Sequence, residues 1–264
     1  MSEKLKIDLD GEVAILTLND PARLNAADLE MVQALSEALD GLSTGRIKAR
    51  AAILTGEGRA FCSGANLAAA AGEVTLADGS RDVGRPLEIG YNPLMAALAA
   101  LPVPLITAIN GPAAGIGCAF ALMGDLVLAA ESAAFAIAFR RIALVPDGGL
   151  SWILPRLVGK ARAMELCLLG ETIGSQQALD WGLINRRYPD HELMSAALEL
   201  ARNLASGPPS LGMTRRLIWD GMDHGFASQL ERERRAQKHA GLTDDFMEGI
   251  GAFLQKRPAE FKGR

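Results

Sequence analysis

The 264-residue sequence is poor in the groups that most often carry nucleophilic or metal chemistry: it has three histidines and three cysteines. Cys62, Cys118 and Cys167 lie far apart and are odd in number. That matches neither a zinc-site spacing nor a disulfide framework, and it suits a reducing compartment. His191, His224 and His239 sit in polar stretches of the C-terminal half and read as surface residues. Aromatics make up only 5%, so the core must be built from small and aliphatic side chains. The longest apolar stretch, 116–139, is interrupted by Gly124, Asp125 and Glu131, too broken for a membrane span. The opening MSEKLKIDLDG holds no apolar signal core, so a cytoplasmic protein without membrane contact is expected. Charge is nearly balanced, 27 basic against 31 acidic residues, a net of −4, which is not the footprint of a nucleic-acid binder. An anionic ligand would need a local basic patch or backbone N–H groups. A Gly-x-Ser-x-Gly elbow and a Walker lysine are both missing, and Gly115-Ile116-Gly117 meets Phe120 where a dinucleotide motif has its third glycine.

What is abundant is small. Alanine supplies roughly one residue in six, with 28 glycines beside it. The length allows one large domain or two small ones. Leu5–Asp8 and Val13–Leu18 read as strands around an Asp-Gly turn. Asp28 precedes a helix with Leu29, Val32, Leu35, Leu39 and Leu42 on one face. Ala51–Thr55, Leu105–Ile109 and Asp125–Ala130 read as buried strands, each next to a glycine turn or helix, a pattern of α/β architecture with parallel strands. Residues 72–90 read as a mobile loop, and the chain after Gly159 as helical almost to its end. Gly207-Pro208-Pro209 marks a hinge, dividing an α/β core over 1–206 from a helical region over 207–264. Thr243 precedes a last helix with Phe246, Met247, Ile250, Phe253 and Leu254 on one face. Such a face must be buried, on the chain's own core or on another subunit.

Three features invite chemistry. Phe61-Cys62-Ser63-Gly64-Ala65-Asn66-Leu67 and Asn110-Gly111-Pro112-Ala113-Ala114-Gly115-Ile116-Gly117 are turns after strands. Each can leave backbone N–H groups unpaired and available for negative charge, and two such groups together would make an oxyanion hole. The plain alternative is that the glycines only permit tight turns. The third feature, Val145-Pro146-Asp147-Gly148-Gly149, precedes a helix. Asp147 is either an ordinary N-cap or an acid/base carboxylate in a pocket, and spacing alone leaves both readings open.

Taken together, these stretches resemble the enoyl-CoA hydratase/isomerase (crotonase) superfamily over essentially the full chain. The matching runs are DPARLNAAD, TGEGRAFCSGANL, AINGPAAGIGCAFALMGDLVLAAESAAFA, LVPDGGLSWILPRLVGKARAMELCLLGE, ALDWGLIN and FLQKRPAEFKGR. The resemblance implies an α/β, crotonase-like spiral of repeated ββα units with a C-terminal helical oligomerisation region. It implies a homotrimer or dimer of trimers, an acyl-CoA thioester substrate, and no cofactor beyond the coenzyme A that the substrate carries. Ala65 and Ile116 would supply the two oxyanion-hole N–H groups. Ala60, Gly64, Asn66, Leu67 and Gly115 would line the substrate beside them. Arg23 would lie near the coenzyme A phosphates. Phe253 and Lys256 would reach the adenine region across a subunit boundary. Asn66 replaces the family's usual aspartate.

The catalytic positions depart from the hydratase pattern. The two hydratase glutamates correspond here to Ala119 and Phe139, and Phe139 becomes a pocket wall. Asp147 matches the aspartate of several non-hydratase branches, and RIALVPDGGLSWILPRLVG resembles the ring-1,2-epoxyphenylacetyl-CoA isomerase branch most. One carboxylate suffices to move a proton between two carbons, whereas hydration draws on two. Isomerisation of an acyl-CoA, by a double-bond shift or arene-epoxide ring opening, through an enolate held in the oxyanion hole and with Asp147 as acid/base, is therefore expected. The alternatives are a hydratase using Glu88, Tyr91 or Glu131, and an inactive CoA-binding or scaffold protein.

Overall fold

The computed structural model describes residues 2–66, 78, 80 and 82–264. Its strands are β1 (Leu5–Asp10), β2 (Val13–Leu18), β3 (Ala51–Gly56), β4 (Leu105–Ile109), β5 (Ala113–Ala114), β6 (Leu126–Ala130), β7 (Ala134–Ala136), β8 (Thr172–Gly174) and β9 (Arg186–Tyr188). Its helices are α1 (Leu29–Ser43), α2 (Asn92–Ala100), α3 (Ile116–Leu122), α4 (Leu150–Leu169), α5 (Ser175–Asp180), α6 (Leu193–Ala205), α7 (Ser210–Gly221), α8 (Phe226–Ala240) and α9 (Asp244–Gln255). The main sheet runs β1-β2-β3-β4-β6-β9. The β1–β2 hairpin is antiparallel and every later pairing in that sheet is parallel. A smaller sheet holds β5, β7 and β8.

The main sheet is covered, so its central strands carry no polar face. All residues of β3 and β4 are buried, as parallel strands under helices should be. α6 lies against β2, β3, β4 and β6. It meets them through Leu193, Ala197, Ala201 and Ala205, a buried stripe at four-residue spacing. The alanine excess is thus a device for seating a helix close to a sheet. α1 buries Val32, Leu35, Leu39 and Leu42, and its Asp28 cap accepts a hydrogen bond from Met31 N at 3.0 Å.

Two expectations change. The region after Gly159 is not purely helical. β8 and β9 interrupt it, and Arg186, Arg187 and Tyr188 of β9 complete the edge of the main sheet beside β6. A three-residue strand containing two arginines has no apolar period to announce it. Within the expected mobile loop, 72–77, 79 and 81 lie outside the described residues, while Leu87–Tyr91 forms a π-helical turn that leads into α2.

The 206–209 break separates α6 from α7. Arg215 of α7, 5% exposed, nevertheless docks into the core. Its guanidinium donates to Asp125 Oδ2 and to the carbonyls of Leu98, Ala99 and Leu101 at the end of α2. α8 buries none of its residues. On α9, Thr243 caps the helix by accepting from Phe246 N at 3.2 Å. Met247, Phe253 and Leu254 remain 67%, 82% and 73% exposed, so this part of the apolar face of α9 finds no cover among the described residues. Among the described residues no helix is long and apolar enough to cross a membrane.

Candidate active site

The first turn follows β3. Ala27 N donates to Gly64 O at 2.8 Å, and Asn66 N donates to Ala27 O at 2.7 Å. This is one rung of parallel pairing between Ala27 and Ala65. In such a rung the residue opposite is skipped, so the N–H of Ala65 points away from Ala27. Among the described residues it donates to no backbone carbonyl. Ala65 is exposed.

The second turn follows β4 and opens α3. Gly115 adopts φ 52° and ψ −125°, a conformation open to glycine and strained for other residues. Its N–H is bound to Ala136 O at 2.9 Å, while the next two, Ile116 and Gly117, meet no backbone acceptor among the described residues. Helix starts leave such donors free and partially positive. The two turns touch. A Cβ on Gly115 would stand 4.0 Å from Gly64 Cα, and one on Gly117 would overlap the Cys62 carbonyl. Ala114 N also donates to Cys62 O at 2.9 Å. The glycines therefore do more than permit tight turns, because they let the free N–H groups of two separate turns stand side by side.

Two thiols flank this place. Burial pushes Cys62 up to about 11 and Cys118 up to about 12. Both are protonated near neutrality and unfit as nucleophiles.

Asp147 is not a helix cap. The residue before α4 is Gly149, and no side chain caps that helix. Among the described residues, Asp147 Oδ1 and Gln229 Oε1 are the buried side-chain oxygens without a hydrogen-bond partner. Desolvation raises the Asp147 carboxyl to about 6, partly offset by a hydrogen bond from its own backbone N–H. Beside it, Gly148 packs against Ile116 and Ala119: a Cβ there would overlap the Ile116 side chain and fall 2.7 Å from Ala119 Cβ. Phe139 is 6% exposed, and its ring tip would lie 3.8 Å from a Cβ on Gly115. The structure thus gathers Gly64, Ala65, Gly115, Ile116, Phe139 and the Asp147–Gly148 pair around one spot. Among the described residues it holds one carboxylate oxygen without a partner and two groups of N–H donors without a backbone acceptor.

The remaining expected residues are placed as follows. Arg23 adjoins the first turn, since its carbonyl accepts from Ser63 Oγ at 3.2 Å. Its side chain is 63% exposed and 3.3 Å from Asp20 Oδ2. Ala60 is 1% exposed and its carbonyl is taken by the side-chain amides of Asn25 and Asn110, so it braces the turn from below. Asn66 is half-buried, and Leu67 lies outside the described residues. Phe253 and Lys256 are exposed at the end of α9. Of the alternative acid/base groups, Glu88 pairs with Arg85 at 2.6 Å and Glu131 with Arg187 at 2.9 Å. Tyr91 is buried and donates to Ala27 O at 2.8 Å. No sequence spacing pairs Tyr91 with Ala27, which lies 64 positions away.

Known proteins share this arrangement of chain. A sequence model described as enoyl-CoA hydratase/isomerase matches residues 8–264. A 1,2-epoxyphenylacetyl-CoA isomerase of Escherichia coli is 42% identical over 265 residues, covering all of both chains. A 2,3-dehydroadipyl-CoA hydratase of the same organism is 34% identical, also over all of both chains. The crystal structure of an enoyl-CoA hydratase from Bacillus anthracis superposes with a TM-score of 0.91 at 32% identity, over 99% of this chain and 100% of that one. Matched over its two turns, its sheet and its C-terminal helices alike, the chain belongs to the enoyl-CoA hydratase/isomerase family of crotonase-fold enzymes.

Proposed function

We propose that this enzyme isomerises an acyl-CoA thioester, with Asp147 as its single acid/base group. The observation that carries this reading is the half-buried Asp147 carboxylate, whose Oδ1 meets no hydrogen-bond partner among the described residues and whose pKa desolvation raises to about 6. A base with that pKa is ionised at neutral pH, yet its conjugate acid still gives the proton back readily. In a double-bond shift, the carboxylate takes a proton from C2 of a 3-enoyl thioester. The C–H electron pair joins a dienolate, whose oxygen accepts from the N–H groups of Ala65 and Ile116. The carboxylic acid then delivers the proton to C4, and the electrons return to the carbonyl. No water is consumed and no cofactor takes part. Each oxyanion donor of this kind supplies about 2.7–4 kcal/mol. The relative named 1,2-epoxyphenylacetyl-CoA isomerase supports testing arene-epoxide thioesters, the other expected substrate class, as well.

Hydration draws on two carboxylates, and Ala119 and Phe139 offer none. Arg23 would meet the coenzyme A phosphates, with Asn66, Leu67 and Gly64 along the thioester and Phe253 and Lys256 of a neighbouring copy near the adenine. The uncovered faces of α8 and α9 support a homotrimer or a dimer of trimers. The three free cysteines suit the cytoplasm.

The test is purified enzyme with 3-enoyl-CoA, crotonyl-CoA and epoxyphenylacetyl-CoA. Isomerisation should fall by about 10²–10⁴ in Asp147→Asn, the usual worth of a general base. Fast hydration of crotonyl-CoA, unchanged in that variant, would make the protein a hydratase instead. Tight acyl-CoA binding without turnover of any thioester would make it a scaffold.

A further inference from the structure

The segment that pairs with the first turn is itself strained. Leu24 and Asn25 both have φ of 54°, a left-handed conformation that side-chain-bearing residues seldom adopt in succession. Their surroundings hold them there. Asn25 is fully buried; its Oδ1 accepts from Asp20 N at 2.8 Å, and its Nδ2 donates to Glu57 O and Ala60 O at 2.9 and 2.8 Å. Strain maintained by so many bonds marks a place where backbone direction matters. What this segment directs is the turn of Ala65. Ser63 N donates to Leu24 O at 3.0 Å, and Ala27 bonds to Gly64 and Asn66 on either side of Ala65.

One side chain reaches this clamp from elsewhere in the fold. Tyr91, at the end of the π-helical turn, donates its hydroxyl to the same Ala27 oxygen that accepts Asn66 N. The carbonyl thus holds two donors, one from the turn and one from the Tyr91 ring, which is 6% exposed and cannot swing away. Single π turns inside helices occur often at functional sites. Here the π turn sets Tyr91 one position ahead of α2.

We propose that Tyr91 is a positioning residue for the oxyanion hole: through the Ala27 carbonyl it fixes the strained 24–27 segment as a template that aims the Ala65 N–H at the thioester oxygen. The proposal rests on the oxyanion-hole reading of Ala65. Losing the hydroxyl leaves Ala27 O still bound to Asn66 N, so that carbonyl keeps a donor. The effect should therefore fall on the aim of the turn more than on folding.

The experiment compares wild type with Tyr91→Phe on cinnamoyl-CoA, whose ultraviolet band moves to the red when its carbonyl is hydrogen-bonded, and on 3-enoyl-CoA turnover. Wild type should show the red shift. Tyr91→Phe should bind with the same stoichiometry and a clearly smaller shift. Its kcat should be lower by about ten- to a hundredfold with KM within about twofold, as misalignment by a fraction of an ångström produces. No red shift in saturated wild type would end the oxyanion reading and this proposal with it. A wild-type shift matched in full by Tyr91→Phe, with kcat unchanged, would overturn the proposal alone. So would a fall in activity that only follows the folded fraction measured by circular dichroism. Should Tyr91→Phe not fold, Ser63→Ala decides, because it cuts another tie between this turn and the template at Arg23 O. A reduced shift supports the template there, and an unaltered one overturns it.

Discussion

Gly148 stands directly on Ala119: a Cβ added to the glycine would lie 2.7 Å from the alanine Cβ. The residue next to Asp147 therefore occupies the space beside the position where a hydratase of this family carries a glutamate. Ala119→Glu should not create a hydratase. Ala119 is 1% exposed, so the larger side chain must displace the 147–149 loop, an overpacking cost of about 1–3 kcal/mol. A second carboxylate there would also push Asp147 further toward its neutral form. We expect isomerase activity to fall at least tenfold, with no gain in crotonyl-CoA hydration, by the loss of enoyl-thioester absorbance; efficient hydration would refute this account.

Activity should follow the ionisation of Asp147. With the carboxyl at about 6, log kcat/KM for 3-enoyl-CoA should rise with pH through that region and level off above it. A rise centred near 4, the ordinary carboxylate range, would show that burial does not govern this group.

The same carboxylate should cost stability at neutral pH, contrary to the usual aspartate. Its folded pKa lies above the unfolded value of 3.8, so folding binds a proton between about 4 and 6. The contribution it makes is fully present below about 4 and is lost as pH rises through about 6. Asp147→Asn should therefore be more stable than wild type at pH 8, by roughly 1–2 kcal/mol after discounting for partial solvent access. At pH 4 the difference should vanish. Urea melts at the two pH values check this, and a variant less stable at pH 8 would contradict it.

Arg215→Ala should be severely destabilising. The guanidinium is buried against Asp125 and three carbonyls that end α2, and its removal leaves them without those donors. Breaking such a buried pair costs about 3–5 kcal/mol. A loss under about 1 kcal/mol in urea denaturation would show that α7 is not bolted to the core as drawn.

Charges on the face of α9 should block assembly. Met247→Glu combined with Leu254→Glu places carboxylates on two exposed apolar positions. Light scattering should report the mass of a trimer or hexamer for wild type and of a single chain for the variant. An unchanged mass would move the subunit interface elsewhere.

Much of this was readable along the chain. The Asp28 and Thr243 caps, the buried runs of β3 and β4 and the break at 206–209 are signalled by neighbours within four residues. That is the range over which helix and strand periodicity act. β9 was invisible because its two arginines are held by pairing with β6, not by any pattern of their own. The Tyr91–Ala27 bond was invisible because its partners are 64 positions apart.

The sequence by itself determined the chemical inventory: one aspartate after Pro146, alanine and phenylalanine where two glutamates would serve hydration, and two glycine turns rich in small residues. Composition and local order carry that information whatever the chain's shape. Only the tertiary structure decided what the inventory can do. It showed that Asp147 leaves the helix start uncapped and sits half-buried, its Oδ1 without a hydrogen-bond partner among the described residues. It also showed that the Ala27 rung turns the Ala65 N–H outward beside the free donors of Ile116 and Gly117. Desolvation and hydrogen-bond direction depend on which distant segments come together, and local sequence does not encode that.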